Sequence, residues 1–384
     1  MVCHRWRQRR VKTSRIRILH VVHSLDPGGM ENGLINVARA LNPDEFEVHV
    51  CCLERRGRFA ERLPYPENVS VLGKTAGFSI TATNRLIRKV LRIKPALLHS
   101  HNLGPLIYSS LATGFGLFCP ILHGEHSELT EDERKPKRLR QRHLLYRCCR
   151  KIHTVSNSLR RQLIDFGFPA SKITVIANGV DTGRFAPGER VAARRKIGLP
   201  TDALVIGIVG RFGPYKRHSM LIESFTLLAR EFQKSHLLIV GSGGPEEIRV
   251  RQQAEGSEAA DRIRMTGFQA NPSACYQSMD MLVIPSINEG LSNAMLEAMA
   301  CGVPVLANRA CGSTEVVDDG INGYIADLDS VEKLREYLRL ALSNPLHLAD
   351  LGASARRKMT TSFSIDHMVA GYEQIYRKIA NKFH

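Results

Sequence analysis

At 384 residues, with 43% hydrophobic and 24% charged side chains, the chain has room for about two domains and the composition of an ordinary globular protein able to bury large cores. Its formal charge of +17 implies acidic partners, namely nucleotides, nucleic acid or an anionic membrane surface. A transmembrane helix is excluded, because no run of about 18 consecutive apolar residues occurs. The nine cysteines form no C-x-x-C pair, so reduced, cytoplasmic thiols are expected rather than a zinc site or a disulfide framework. Residues 1–15 carry Arg5, Arg7, Arg9, Arg10, Lys12 and Arg15 without the apolar core of a signal peptide, and read as a flexible basic tail.

Residues 16–23 (IRILHVVH) form a buried strand, followed by the SLDPGG turn and a helix over 30–41. A strand, a glycine turn and a helix make the unit by which a doubly wound sheet approaches a phosphate, although the G-x-G-x-x-G fingerprint is missing. Gly28 and Gly29 therefore either make a tight turn or admit a ligand. Strands follow at 47–53 and 69–72, a helix at 84–92, and a strand from 96 that runs into the loop HSHNLG. His99 and His101, spaced i, i+2 in that loop, suit a metal, but no third ligand is evident and they read as a loop wall. His123 ends a further strand (PILH), the edge where parallel sheets carry chemistry, and is read either as catalytic or as structural. Residues 134–151 turn strongly basic, with Leu139, Leu145, Tyr146, Cys148 and Cys149 on one helical stripe: a helix for anionic lipid, or a solvated face.

A turn-rich stretch over 178–185 fits an interdomain linker, after which the pattern restarts. The buried strand 204–209 leads into GRFGPYKR, where Arg211 and Lys216 share one loop at the sheet's carboxyl edge. Arginine grips a phosphate through two parallel hydrogen bonds, and lysine adds a point charge. Strand 236–240 ends in GSGGP, a turn suited to a phosphate or to close helix packing. Gly267 and Phe268 (TGF) follow strand 263–265, and strand 281–285 precedes EGLSNAMLEAMACGVPVLA. In that run Ser292 or Asn293 caps a helix over 293–300 that stops at Gly302 and Pro304. Side chains lean toward a helix N-terminus, so Glu297 points back at the loop carrying Glu289. Two carboxylates beside a helix N-terminus suit a ligand with vicinal hydroxyls and a diphosphate, that is, a nucleotide sugar. Asp327 and Asp329 form a D-x-D, but Asp329 or Ser330 better serves as a helix cap, and no metal site is assigned. No G-x-x-x-x-G-K-[ST] is present, which counts against an ordinary ATPase.

GRFGPYK, TGF, EGLSNAMLEAMACGVPVLA, CGSTEVV and DGINGY together resemble the retaining GT-B glycosyltransferases of family GT4, and HVVHSLDPGGMENGLINVARAL with HGEH is similar to sugar transferases of exosortase (PEP-CTERM) and exopolysaccharide systems. Departures are Pro214 beside the clamp and Cys311 where the family commonly has glycine. The resemblance implies two Rossmann-like doubly wound α/β domains facing a cleft. Residues 16–180 would form the acceptor-side domain and 181–363 the donor-side domain, with 364–384 a helix packing back toward the first. It implies that Arg211 and Lys216 hold the donor diphosphate, Glu297 the ribose and Glu289 the sugar. Gly290, Leu291, Ser292 and Asn293 would meet the phosphate or sugar, Gly267 and Phe268 would flank the base, Gly28 and Gly29 would approach the diphosphate, and His123 would contact the sugar. The expected activity is transfer, with retained configuration and without a metal or other cofactor, from a UDP- or GDP-sugar to a glycan or lipid-linked acceptor in exopolysaccharide or cell-envelope polysaccharide synthesis. The cytoplasm is the expected compartment, with peripheral contact to the inner face of the plasma membrane through residues 134–151. The rivals are a sugar-nucleotide epimerase on the same fold and a basic nucleic-acid- or membrane-binding protein. Nucleic acid is disfavoured, because aromatics make up only 6% of residues and do not interleave with the basic ones.

Overall fold

The computed structural model describes residues 15–310 and 312–382. The basic head up to residue 14 and Cys311 lie outside the described residues. Seven parallel strands build the first sheet: β1 (Ile16–Ser24), β2 (Phe46–Arg55), β3 (Val69–Val71), β4 (Leu97–His101), β5 (Ile121–Glu125), β6 (Cys149–Thr154) and β7 (Ile173–Val175), in the order β3-β2-β1-β4-β5-β6-β7. Six more build the second: β8 (Leu204–Val209), β9 (Ser235–Val240), β10 (Ile263–Gly267), β11 (Met281–Ile284), β12 (Val305–Asn308) and β13 (Gly323–Ala326), in the order β10-β9-β8-β11-β12-β13. Helices cover both faces of each sheet, so strands such as β8 and β11 are apolar runs rather than alternating ones, whereas β4 and β5 also bury histidines. Ile18, Leu19, Val21 and Val22 on β1, and Val205 and Ile206 on β8, are fully buried.

Strand order reverses between β1 and β4 in one domain and between β8 and β11 in the other. A crevice opens beyond the carboxyl ends of the strands at such a reversal. The loops that leave β1, β8 and β11 carry Gly28–Gly29, Arg211–Lys216 and Glu289, so the topology sets these sequence-predicted residues at the strands' carboxyl edges.

The chain crosses between domains at two places that are tied together. Val180 N donates to Phe363 O (2.8 Å) and Ile365 N donates to Val180 O (2.9 Å). Beyond this crossing the helix Ile365–Ala380 lies on the N-terminal sheet, where Met368, Val369, Tyr372, Ile375, Tyr376 and Ile379 join the core of Ile18, Val22, Leu97 and Leu122.

Several local expectations change. His99 and His101 belong to β4 and are buried, and a helix, Leu103–Ala112, follows where a loop is expected. Helices Arg190–Ile197 and Glu247–Glu255 have no counterpart in the sequence reading, because they are short and mostly polar. The basic helix runs over Pro136–Cys148, and Cys149 opens β6. Its apolar side does not face outward: Leu145 and Tyr146 pack into the domain core with Leu106, Ile121 and Phe168. Arg142 is fully buried beneath the same helix, donating to Glu125 and Glu133. Of the expected apolar stripe Leu145, Tyr146 and Cys149 are buried and Leu139 and Cys148 half-buried, and Leu144 stands out at 60% exposure.

Candidate active site

The loop after β8 is fixed backbone to backbone. Gly210 N donates to Val240 O (2.9 Å) and Phe212 N to Gly243 O (2.8 Å). A Cβ at Gly241 or Gly244 would collide with the carbonyl of Gly210 or Phe212, and both glycines adopt positive φ. The GSGGP turn thus serves as a brace that holds the Arg211 loop, and only glycine fits its close approach. Arg211 itself is exposed toward the cleft and electrostatically coupled to Glu31 of the other domain.

Lys216 and Glu289 form one pair. Lys216 Nζ reaches both carboxylate oxygens, 2.7 Å from Oε1, with both side chains about a fifth exposed. Glu289 and Glu297 sit on the loop and first turns ahead of and within the helix Asn293–Ala300, as the sequence implies, but in different surroundings. Glu297 accepts from the Tyr276 hydroxyl (2.8 Å). Burial raises its pKa from 4.5 to about 7, opposed by the Tyr276 bond and by Arg184 and Arg62. Arg62 lies over the Phe59 ring (4.3 Å to its centroid), and Phe59 from the N-terminal domain stands 6.3 Å from the Phe268 ring. Gly267, at φ +68°, turns the chain so that Phe268 stays exposed beside this pocket.

The N-terminal wall meets the same helix start. Asn293 Nδ2 donates to Gly29 O (2.8 Å), and Asn178 Nδ2 to Leu291 O (3.1 Å). Ser292 flanks the helix N-terminus without a side-chain cap bond, and Leu291 is buried behind it. A Cβ at Gly28 would collide with the Glu31 carboxylate, and one at Gly290 with the His126 carbonyl. At Gly290 the close approach is to backbone of the other domain and requires glycine, whereas at Gly28 the Glu31 side chain would have to move. Glu315 adds a further link, accepting from Ser158 N (2.7 Å) and Asn157 N (2.9 Å) at the start of the helix Asn157–Asp165.

His123 does not reach this cleft. It lies inside β5, fully buried, with Nδ1 3.0 Å from Ser100 Oγ and Nε2 3.1 Å from Glu125 Oε1. Glu125 is in turn held by Arg142 and the Tyr146 hydroxyl. The strand runs two residues further than PILH suggests, and His126 occupies the strand end. Two residues at the cleft escaped the sequence reading: His126 and Glu31. Burial raises the Glu31 pKa from 4.5 to about 7, with a backbone hydrogen bond and Arg211 opposing and Asp26 adding to the rise. Its signal was the GGME tetrad, in which the glycines drew the attention and the acid did not. In the D-x-D stretch Ser330 Oγ caps the helix Val331–Leu342, Asp329 pairs with Lys333 (2.9 Å) and Asp327 with Arg309 (3.6 Å).

Two doubly wound domains whose strand reversals face one cleft define the GT-B class. Residues 27–184 match the family Glycosyltransferase Family 4, and residues 189–358 match the family Glycosyl transferases group 1. It is 32% identical over 200 residues to D-inositol 3-phosphate glycosyltransferase 2 of Catenulispora acidiphila, covering 50% of this chain and 47% of that one. It is 33% identical over 222 residues to the D-inositol 3-phosphate glycosyltransferase of Kineococcus radiotolerans, covering 52% and 50%. The chain thus spans about half the length of the curated relatives it matches. Its fold is similar to that of Anabaena Alr3699/HepE in complex with UDP-glucose, at TM-score 0.83 and 20% identity, covering 94% and 99% of the two chains. Sucrose-phosphate synthase from Thermosynechococcus elongatus matches at TM-score 0.78 and 18% identity, covering 95% and 99%.

Proposed function

We propose that this chain is a retaining glycosyltransferase that moves a hexosyl group from a UDP- or GDP-sugar to a glycan or lipid-linked acceptor in exopolysaccharide or cell-envelope polysaccharide synthesis. The observation that carries this reading is the Lys216–Glu289 pair, set beside the braced Arg211 loop and the uncapped start of the helix Asn293–Ala300. Negative charge builds on a diphosphate as the glycosidic bond breaks, and fixed cations with helix N–H groups stabilise it without reorganising. Glu289 holds Lys216 in place until a diphosphate takes over the ammonium, which frees the carboxylate for sugar hydroxyls. Glu297 accepts from the ribose, while Phe268 and Phe59 offer faces to the base. Departure and attack on one face of the sugar is the course this reading assigns to retention. The matched families and relatives bear glycosyltransferase names, which favours transfer over epimerisation.

The same cations make a divalent ion at the diphosphate unnecessary in this reading. For the acceptor side, the basic helix Pro136–Cys148 has an apolar neighbour: Phe115, Leu117 and Phe118 are 49%, 76% and 80% exposed on the loop that packs against its end at Cys148. Cations beside protruding aromatic and aliphatic tips suit an anionic bilayer surface. No helix among the described residues is long and apolar enough to cross a membrane.

Saturation-transfer NMR with UDP-glucose, UDP-galactose, UDP-N-acetylglucosamine and GDP-mannose tests the donor reading. At least one is expected to show transfer to its ribose and anomeric protons, lost in Glu297→Gln; silence from all four refutes it. With that donor, turnover is expected to survive EDTA. Loss restored by manganese or magnesium would show an ion at the diphosphate.

A further inference from the structure

Five histidines from separate parts of the chain meet on one face of the N-terminal sheet, beneath the helix Ile365–Ala380. They are His20 on β1, His99 and His101 on β4, His126 just past β5, and His153 on β6. Strand register brings them together. His20 is the Cα partner of His99, and His101, Gly124 and His153 form one row across β4, β5 and β6. Neighbours in a row, and residues two apart along a strand, share a face. Gly124 leaves a missing side chain in the middle of that row. A Cβ there would collide with His153 Nε2 and stand 2.9 Å from His126 Nε2. The imidazoles close over this gap, with His101 Nδ1 2.9 Å from His126 Nε2 and His99 Nε2 2.9 Å from His153 Nε2.

We propose that His101, His126 and His153 bind one divalent transition-metal ion of the zinc class through imidazole nitrogens. One ligand nitrogen from each lies within 4.8 Å of the other two. Zinc–nitrogen bonds of about 2.0–2.1 Å set ligand nitrogens about 3.3 Å apart in a tetrahedron. The 2.9 Å approach of His101 to His126 therefore needs only a small spreading of the rings. Hydrogen bonding alone does not account for the cluster: each neutral imidazole has one donor and one acceptor, yet His20 Nε2 and His153 Nδ1 are buried without a partner. Three imidazoles without a carboxylate suit zinc, copper or nickel rather than magnesium or calcium.

The surroundings supply the outer support that ligating histidines need. His20 Nδ1 stands 3.0 Å from His101 Nε2, and His99 Nδ1 stands 3.0 Å from the Tyr376 hydroxyl on the overlying helix. A small cavity lined by Met30, Gly33, Asn178 and Tyr372 adjoins His101 and His126. None of these residues belongs to the Arg211–Lys216 clamp, so the ion and the donor reading stand or fall separately.

The test uses untagged full-length protein incubated with zinc chloride and desalted. Elemental analysis is expected to find about one zinc per chain, and X-ray absorption at the zinc edge a nitrogen shell at about 2.0 Å with imidazole outer scattering. His153→Gln and His126→Gln should each lose most of that zinc, while the exposed control His367→Gln keeps it. Folded wild-type protein that retains almost no zinc, or His153→Gln that retains as much as wild type, overturns the site. If both variants fail to fold by circular dichroism, the wild-type absorption spectrum decides, and a shell without imidazole scattering overturns the proposal.

Discussion

Replacing Lys216 by alanine separates catalysis from folding more sharply than any other change at this cleft. The ammonium pairs with Glu289, at 2.7 Å, and stands 5.8 Å from the Tyr215 ring centroid, and both side chains keep about a fifth of their exposure. A partly exposed ion pair of this kind contributes about 1 kcal/mol or less to stability, so melting should move by only about 2–4 °C. The loss in turnover is expected to be much larger. One fixed charge removed from a developing oxyanion costs about 3 kcal/mol, roughly a hundredfold in rate. Arg211→Ala should behave alike, because its loop is held by backbone bonds that the side chain does not make. The assay is nucleoside diphosphate release from the NMR-identified donor, run beside thermal melts of the same preparations. Near wild-type turnover in a folded Arg211→Ala/Lys216→Ala double variant would refute the clamp.

Glu297 should confer a pH signature. Its carboxyl titrates at about 7, raised from 4.5 by burial, so donor affinity measured calorimetrically is expected to rise as pH passes through 7 and the carboxylate forms. The folded chain holds this proton between pH 4.5 and 7 while the unfolded chain does not, so this group's contribution to stability falls as pH rises across that window. Glu297→Gln should remove both effects; a wild-type-like pH profile in that variant counts against the assignment. For the membrane surface, vesicles containing phosphatidylglycerol should sediment the protein at low salt, neutral vesicles should not, and Leu117→Ser/Phe118→Ser should weaken the binding. Each cation at the surface adds about 1 kcal/mol and is screened by salt, so protein left in the supernatant with anionic vesicles defeats this reading.

The legible parts of the site are those written in contiguous sequence. Arg211 and Lys216 share one loop, and Glu289 and Glu297 share one loop and helix, so local rules place each on its element, but not the pairing of Lys216 with Glu289 or of Glu297 with Tyr276. The buried strands were equally open, since a parallel sheet covered on both faces leaves uninterrupted apolar runs. The histidine cluster was not legible, because it depends on the register of β4 against β5 and β6, and no local pattern states which residue stands opposite Gly124. His123 misled for the same reason: the strand continues through Gly124 and Glu125, a glycine and an acid that read as loop but are held by neighbouring strands and by Arg142. The basic stretch misled differently. Its apolar residues were spaced for one face, and periodicity does not say whether that face meets lipid or the protein's own core.

The helix Ile365–Ala380 has a consequence for how the chain comes off the ribosome. Residues 16–180 make a full sheet, yet one face of that sheet is closed by side chains encoded some two hundred positions later. Synthesis proceeds at about 5–20 residues per second, so the emerging N-terminal half waits on the order of 10–40 s with the core around Ile18, Val22 and Leu97 only partly covered by the helix Gly29–Ala40. During that interval exposed apolar surface invites chaperones or misassembly with a second nascent chain. The molecule thus completes its first domain last, and truncation at the carboxyl end injures the domain farthest away in sequence.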